Sequence, residues 1–125
     1  MFGVALLDIV KERSDIRVLS SDMSTPAGLD KFKTTYPDMF VNMGIAEQNM
    51  TSLAAGMALE GKTVFTYSIG NFPTLRCLEQ IRNDCAYHNA DVKIVCVGGG
   101  FVYGALGMSH HATEDIAVMR ALPDV

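Results

Sequence analysis

Charge is scarce in this sequence. Asp, Glu, Lys and Arg make up 19% of the 125 residues, against a usual share of about 25%. Apolar residues make up 49%. The deficit argues against disorder and for surface that a partner covers. A basic excess is absent too: ten Lys and Arg against fourteen Asp and Glu give a net charge of −4. That excludes a generic basic nucleic-acid-binding surface. The three cysteines, Cys77, Cys85 and Cys96, show no CxxC or other metal-type spacing. An odd count with no secretory signal is expected to mean reduced thiols in a cytoplasm. Asp8 breaks the N-terminal apolar stretch, which reads as a helix rather than a signal peptide. The longest uncharged apolar run, Ile94 to Met108, holds five glycines in 15 residues, too short and too glycine-rich to span a membrane. There is no linker, repeat or low-complexity stretch, and the length fits one domain rather than two.

What is present is an alternation of helix and strand signals. Phe2, Leu6, Ile9 and Val10 recur at helical spacing, and Ile16 to Leu19 is a short β-branched strand. The pattern continues with a helix over Ala27 to Tyr36, a strand over Met39 to Met43 and a helix over Ala46 to Leu59 closed by Gly61. It goes on with a strand over Thr63 to Tyr67, a helix over Thr74 to His88 entered through Pro73, and a strand over Val92 to Val97. A last helix spans Thr113 to Leu122, with Thr113 as N-cap. Helices between short apolar strands mean βαβ units, hence an α/β fold: three layers, α/β/α, around a mainly parallel sheet. Ligands bind such sheets at the C-terminal strand ends. Here those ends are Asp22, Gly44 to Glu47, Ser68 to Phe72 and Gly98 to His111.

From Met39 to Leu59 the only charged side chain is Glu47. Two readings stand. Glu47 can favour the helix dipole while facing solvent, or it can be an acid/base group whose ionisation is set by apolar burial against the helix N-terminus. Ala46, Ala54, Ala55, Gly56 and Ala58 let another element approach the same helix closely.

The segment Met43-Gly-Ile-Ala-Glu-Gln-Asn-Met50 resembles the transketolase-like thiamine-diphosphate enzymes, specifically their pyrimidine-binding domain. Landmarks follow in the family's order: Ser21-Asp22, GIAEQ, an aromatic-containing loop before Arg76-Cys-Leu-Glu-Gln-Ile81, a Gly-rich strand exit, Gly107-Met-Ser-His-His111 and Arg120-Ala-Leu-Pro-Asp124. The resemblance implies the thiamine-diphosphate-binding fold over residues 1–125, incomplete at its C-terminal end. It implies that Glu47 hydrogen-bonds N1′ of the aminopyrimidine and so activates the cofactor. It places Asp22 near the cofactor and the subunit interface. It puts Tyr67 and Phe72 in the loop whose aromatic ring stacks on the pyrimidine, with Phe72 favoured. It makes His110 the histidine that handles a substrate oxygen or relays protons. Leu106 stands four positions before it, where sugar-handling transketolases carry an acid. That departure leaves room for a different acyl acceptor. Gly98-Gly99-Gly100 fits neither phosphate-loop pattern and reads as a strand exit.

The family's other half-site, a diphosphate-binding domain with a GDG motif, is missing from these residues. The resemblance therefore implies a partner chain that holds the diphosphate and Mg²⁺. It also implies a homo- or hetero-oligomer, and no catalysis by this chain alone. The expected reaction is transfer of a two-carbon ketol unit between sugar phosphates. The alternatives are a deoxyxylulose-phosphate-synthase-like condensation using a 2-oxo acid, or a non-catalytic assembly module.

Overall fold

A computed structural model describes residues 2–23 and 28–125. The first helix, α1 (Phe2–Ile9), buries Gly3 and Leu6. Strand β1 (Ile16–Ser20) follows, buried at four of its five positions. Helix α2 (Leu29–Thr35) buries Leu29 and Phe32; Ala27, where the sequence pattern starts it, lies outside the described residues. A 3₁₀ turn at Pro37–Met39 leads into β2 (Phe40–Asn42). Helix α3 (Glu47–Leu59) and strand β3 (Thr63–Ile69) come next. Two short helices, α4 (Asn71–Thr74) and α5 (Leu78–Gln80), precede β4 (Val92–Val97). A short helix α6 (Asp115–Met119) completes the set.

The sheet is wholly parallel, in the order β2-β1-β3-β4. The register sets Ser20 beside both Asn42 and Tyr67, and Tyr67 beside Val95. Helices α1 and α2 cover one face through Leu6, Val10, Leu29 and Phe32, which pack on Ile16, Val18 and Tyr67. Helix α3 covers the other through Met50 and Ala54, packed on Leu19 and Val64. This is the expected three-layer α/β/α arrangement, its strands near-continuously apolar because both faces are covered. Strands leave β1 in both directions, to β2 on one side and β3 on the other. The gap between the C-terminal ends of β1 and β3 is therefore the switch point where such sheets open a crevice.

Helix α3 ends as expected. Gly61, at φ +83°, donates its N–H to Ala58 O at 2.9 Å, and Lys62 donates to Met57 O at 3.1 Å. This pair of bonds is the Schellman closure, and its left-handed residue favours glycine.

Three expectations are corrected. Strand β3 runs two residues past Tyr67 to Ile69. The single helix over 74–88 is broken. Thr74 Oγ1 donates back to Gly70 O at 2.6 Å, Pro73 has no N–H to extend a ladder, and Cys77 leaves helical geometry at φ −105°, ψ 12°. After α5 the chain widens into a π-type turn at Ile81–Ala86, which Asp84 tethers to α3 by accepting the Ser52 hydroxyl at 2.6 Å. The last helix is shorter than expected. Its N-cap position is Glu114, and the Thr113 hydroxyl donates to the Glu114 carboxylate at 2.9 Å instead of capping.

Candidate active site

The C-terminal ends of β1 and β3 frame a cleft of about 280 Å³, lined by Ser21, Asp22, Ile45, Glu47, Ser68 and Phe72 among others. It lies at the switch point. A larger hollow of about 560 Å³ lies against β4, lined by Ile81, Cys85, Ile94, Cys96 and Met119 among others. It holds none of the residues that the sequence singles out for chemistry.

The β1 exit is a tight turn. Ser20 Oγ accepts the Met23 N–H at 3.1 Å. Asp22 sits at φ +57°, a left-handed conformation that Asp tolerates better than most residues. Asn42 at the end of β2 holds this turn. Its Oδ1 accepts the N–H groups of Asp22 at 3.0 Å and Gly44 at 3.1 Å, and its Nδ2 donates to Asp22 Oδ1 at 3.0 Å. Asp22 is exposed at the mouth of the cleft. Deeper in, the Ser21 hydroxyl donates to Ser68 Oγ at 2.6 Å, joining the ends of β1 and β3.

Glu47 is the first residue of α3 and is only 3% exposed, so it does not face solvent. No side chain caps the helix at Ala46, which leaves the carboxylate beside unsatisfied N–H groups and the positive end of the dipole. Its charge partner is Arg76, whose Nη1 donates to Glu47 Oε2 at 2.7 Å. The guanidinium also lies over the Phe72 ring, its Cζ 4.5 Å from the centroid. The Gln48 side chain fixes the segment further by donating to Arg76 O at 3.0 Å. Burial pushes the neighbouring Cys77 thiol up. The Glu47 charge adds to that shift, while the Thr51 hydrogen bond and Arg76 oppose it.

Phe72 lies in α4 and presents a half-buried ring to the cleft. The His110 ring meets it edge-on, with centroids 5.2 Å apart, and also meets Tyr103 at 5.9 Å. His110 Nδ1 lies 3.0 Å from Ser109 Oγ. Asn71 Nδ2 donates to Ser109 O at 2.8 Å, so α4 carries both Phe72 and the tether of the histidine segment. The loop from β4 is closed at its base by a two-bond bridge between Gly100 and Ala112, at 2.8 and 3.0 Å.

Asp22, Glu47 and Phe72 thus line one cleft, and His110 stands against Phe72. Tyr67 does not join them. The expectation that it lies on the loop is corrected: it is inside β3, fully buried, with its ring stacked on Phe2 at 5.7 Å and 7°. A ring enclosed on the helix-covered face of the sheet has no face left for a ligand. Arg76 and the Ser21–Ser68 pair are site features that the sequence did not mark. Arg76 stands 29 positions from Glu47, and no local periodicity reports such a pairing. Among the described residues no group of three or more His, Cys, Asp or Glu side chains converges as a metal site. Among them, too, no helix is long and apolar enough to cross a membrane.

The lining suits a flat heteroaromatic ring with polar edges. Phe72 offers a stacking face, Glu47 a buried carboxyl for a ring nitrogen, and the serine pair a polar floor. The cleft is at the small end of the ~300–1,000 Å³ range of ligand pockets. It has room for one such ring and not for a whole phosphorylated cofactor.

Comparison with known proteins agrees with this geometry. The model of the transketolase pyrimidine-binding domain matches residues 1–125. A transketolase C-terminal section of Methanocaldococcus jannaschii is 41% identical over 124 residues, 99% of this chain and 39% of that protein. An apulose-4-phosphate transketolase subunit of Phocaeicola vulgatus is 41% identical over 122 residues, 98% of this chain and 39% of that protein. The 1-deoxy-D-xylulose-5-phosphate synthase of Carboxydothermus hydrogenoformans is 33% identical over 125 residues, 100% of this chain and 20% of that enzyme. Among solved structures, a split-gene transketolase described as an inactive β4 tetramer superposes with a TM-score of 0.83 at 38% identity, covering 98% of this chain and 39% of that one. The chain thus spans about two-fifths of the length of the first two of these relatives. With the family model matched along its whole length, this chain belongs to the transketolase pyrimidine-binding domain family.

Proposed function

We propose that this chain is the pyrimidine-binding part of a thiamine-diphosphate-dependent transketolase, acting on sugar phosphates. The observation that carries the reading is Glu47: an acid 3% exposed, at a helix N-terminus, lining one cleft with the Phe72 ring. Bound thiamine diphosphate would supply the nucleophilic carbon that carries a two-carbon ketol unit. Glu47 would hold a proton against N1′ of the aminopyrimidine. Phe72 would stack on that ring, and Asp22 would flank it at the mouth of the cleft. His110, pinned through Ser109 and Asn71, would handle a substrate oxygen. The size of the cleft supports a divided site in which a partner chain holds the diphosphate and Mg²⁺. On this reading the chain is catalytically silent alone and works within a cytoplasmic oligomer. The names of split-gene relatives are consistent with that arrangement.

The test is an assembly of this subunit with a partner that carries the diphosphate-binding domain. Glu47→Ala is expected to abolish turnover of a ketose phosphate donor while the assembly stays intact by size-exclusion chromatography. Wild-type rates in that variant would remove Glu47 from the mechanism. Turnover by the chain without a partner would overturn the divided site.

A second reading rests on Leu106, which is 57% exposed on the loop before His110. An apolar side chain there offers no carboxylate to a sugar hydroxyl, which favours a condensation with a 2-oxo acid donor. Turnover of pyruvate rather than a ketose phosphate would select this reading.

A further inference from the structure

We propose that Arg76 is the positioning residue of this cleft, a single cation that sets both groups with which the cleft grips a flat ring. The inference rests on the reading above, in which Glu47 and Phe72 are those groups. Arg76 is the first residue after α4 and Leu75, and its backbone carbonyl is held by Gln48 of α3 at 3.0 Å. Its side chain therefore leaves a fixed point between the two helices. Nη1 binds Glu47 Oε2 at 2.7 Å, and the guanidinium carbon lies 4.5 Å from the centre of the Phe72 ring. Both contacts use what distinguishes arginine from lysine: a planar group that stacks on a ring while its N–H edge binds a carboxylate.

The consequences differ for the two partners. Glu47 is 3% exposed, so its carboxylate depends on this donor for both charge and direction. The pair engages Oε2 and leaves the other oxygen to a ligand in the cleft. Phe72 is only half-buried, so the overlying guanidinium limits its rotation and keeps one face toward the cleft. Arg76 itself is 44% exposed along its side chain. It lies at the rim and does not line the cleft, so it acts through Glu47 and Phe72 rather than on a ligand.

The two contacts can be separated by substitution. Arg76→Gln removes both. Arg76→Lys keeps a charge for Glu47 but places no plane on Phe72. The experiment is calorimetric titration of thiamine diphosphate into the assembled enzyme, with kcat measured alongside, for wild type, Arg76→Gln, Arg76→Lys and Glu47→Ala. Arg76→Gln is expected to weaken cofactor binding and to lower kcat, each by about tenfold, the scale of one charge-assisted hydrogen bond. Arg76→Lys is expected to recover most of kcat while cofactor binding stays weakened, a split that a general loss of packing would not produce. If Arg76→Gln stays within twofold of wild type in both readouts while Glu47→Ala is inactive, the positioning role falls and the proposed function stands. If Glu47→Ala binds cofactor and turns over like wild type, the underlying reading itself falls, and Arg76 with it. If Arg76→Gln does not assemble, Arg76→Lys decides: weakened cofactor binding with recovered kcat supports the role, and unchanged binding overturns it.

Discussion

The hydroxyl of Ser21 donates to that of Ser68 across 2.6 Å, closing the seam between β1 and β3 directly beneath the cleft. Both residues are buried, at 3% and 1% exposure. Ser68→Ala strands the Ser21 hydroxyl, which should cost about 1–3 kcal/mol, the desolvation penalty of an unpaired buried polar group. The double variant Ser21→Ala/Ser68→Ala removes both partners and should be more stable than Ser68→Ala. Urea denaturation of the four proteins gives the coupling directly. Equal stability of the single and double variants would mean that the bond is not formed.

Tyr67 separates packing from function. Its ring is enclosed by Phe2 and the core, and its hydroxyl is buried with no hydrogen-bond partner among the described residues. Burial also pushes its ionisation up, and the nearby Tyr103 adds to that shift. Tyr67→Phe is therefore expected to leave stability unchanged or raised by up to ~1 kcal/mol, and to leave cofactor affinity unchanged. Tyr67→Ala should cost about 3–5 kcal/mol through the cavity it opens. Thermal melts and cofactor titration check both; a weakened cofactor affinity in Tyr67→Phe would return this residue to the site.

Gly98 is where β4 hands over to the histidine loop. It sits at φ +75°, and a Cβ there would lie 2.1 Å from the Tyr103 ring. Gly98→Ala costs about 1–2 kcal/mol for the left-handed backbone alone and must also displace Tyr103, which contacts His110. The expected result is a lower melting temperature together with an altered near-ultraviolet signal from the aromatic cluster. An unchanged melt would show that the loop yields freely.

At the opposite, N-terminal edge of the sheet, Arg13 pairs with Asp15 at 2.5 Å and donates to Thr63 Oγ1 at 2.7 Å. Asp91, which pairs with Lys93, lies 2.9 Å from the same hydroxyl. The Arg13 hydrogen bond holds the Asp15 carboxyl well down, at about 2 against an ordinary 3.8. A depressed carboxylate stabilises the fold above its unfolded pKa and loses that contribution as pH falls through the folded value. Stability should therefore drop between about pH 4 and pH 2, and Asp15→Asn should flatten that limb of the pH–stability curve. An acid limb identical in Asp15→Asn would assign the loss to other carboxyls.

The thiols should be slow. Burial pushes Cys85 and Cys96 up to about 11, with Asp84 and Asp115 respectively adding to the effect, and it raises Cys77 as well. At pH 8 a thiol of that pKa is thiolate in roughly one molecule in a thousand. Alkylation by iodoacetamide, followed by mass spectrometry of the native protein, should lag free cysteine by more than about tenfold and should catch up in denaturant. Rapid labelling of any one of them in native buffer would mark a local opening.

The layers are legible in the sequence because each strand reads as an apolar run and each helix as a periodic one. Glu47 is legible as the one charge between Met39 and Leu59. What escapes has a common cause: tertiary contacts that no local pattern encodes. Strand β3 extends to Ile69 because Ser68 and Ile69 find partners in Cys96 and Val97. Pro73 marks the start of the following helix but not its interruption, which depends on Thr74 bonding backward and on Asp84 being captured by Ser52. Tyr67 and Phe72 are both aromatic and close in sequence. Sheet register alone turns one into the core and the other toward the cleft.

The parallel sheet also governs when the cleft can exist. Asp22, Glu47, Phe72 and His110 each follow a different strand, one after each of β1, β2, β3 and β4. Parallel pairing draws strands together only across long intervening chain, and the entropy of closing those loops precedes the contacts that offset it. No contiguous fragment that omits one βα unit carries all four residues. Ligand-binding competence should therefore be among the last properties to emerge in refolding, after helical signal has returned and together with the burial of Tyr67.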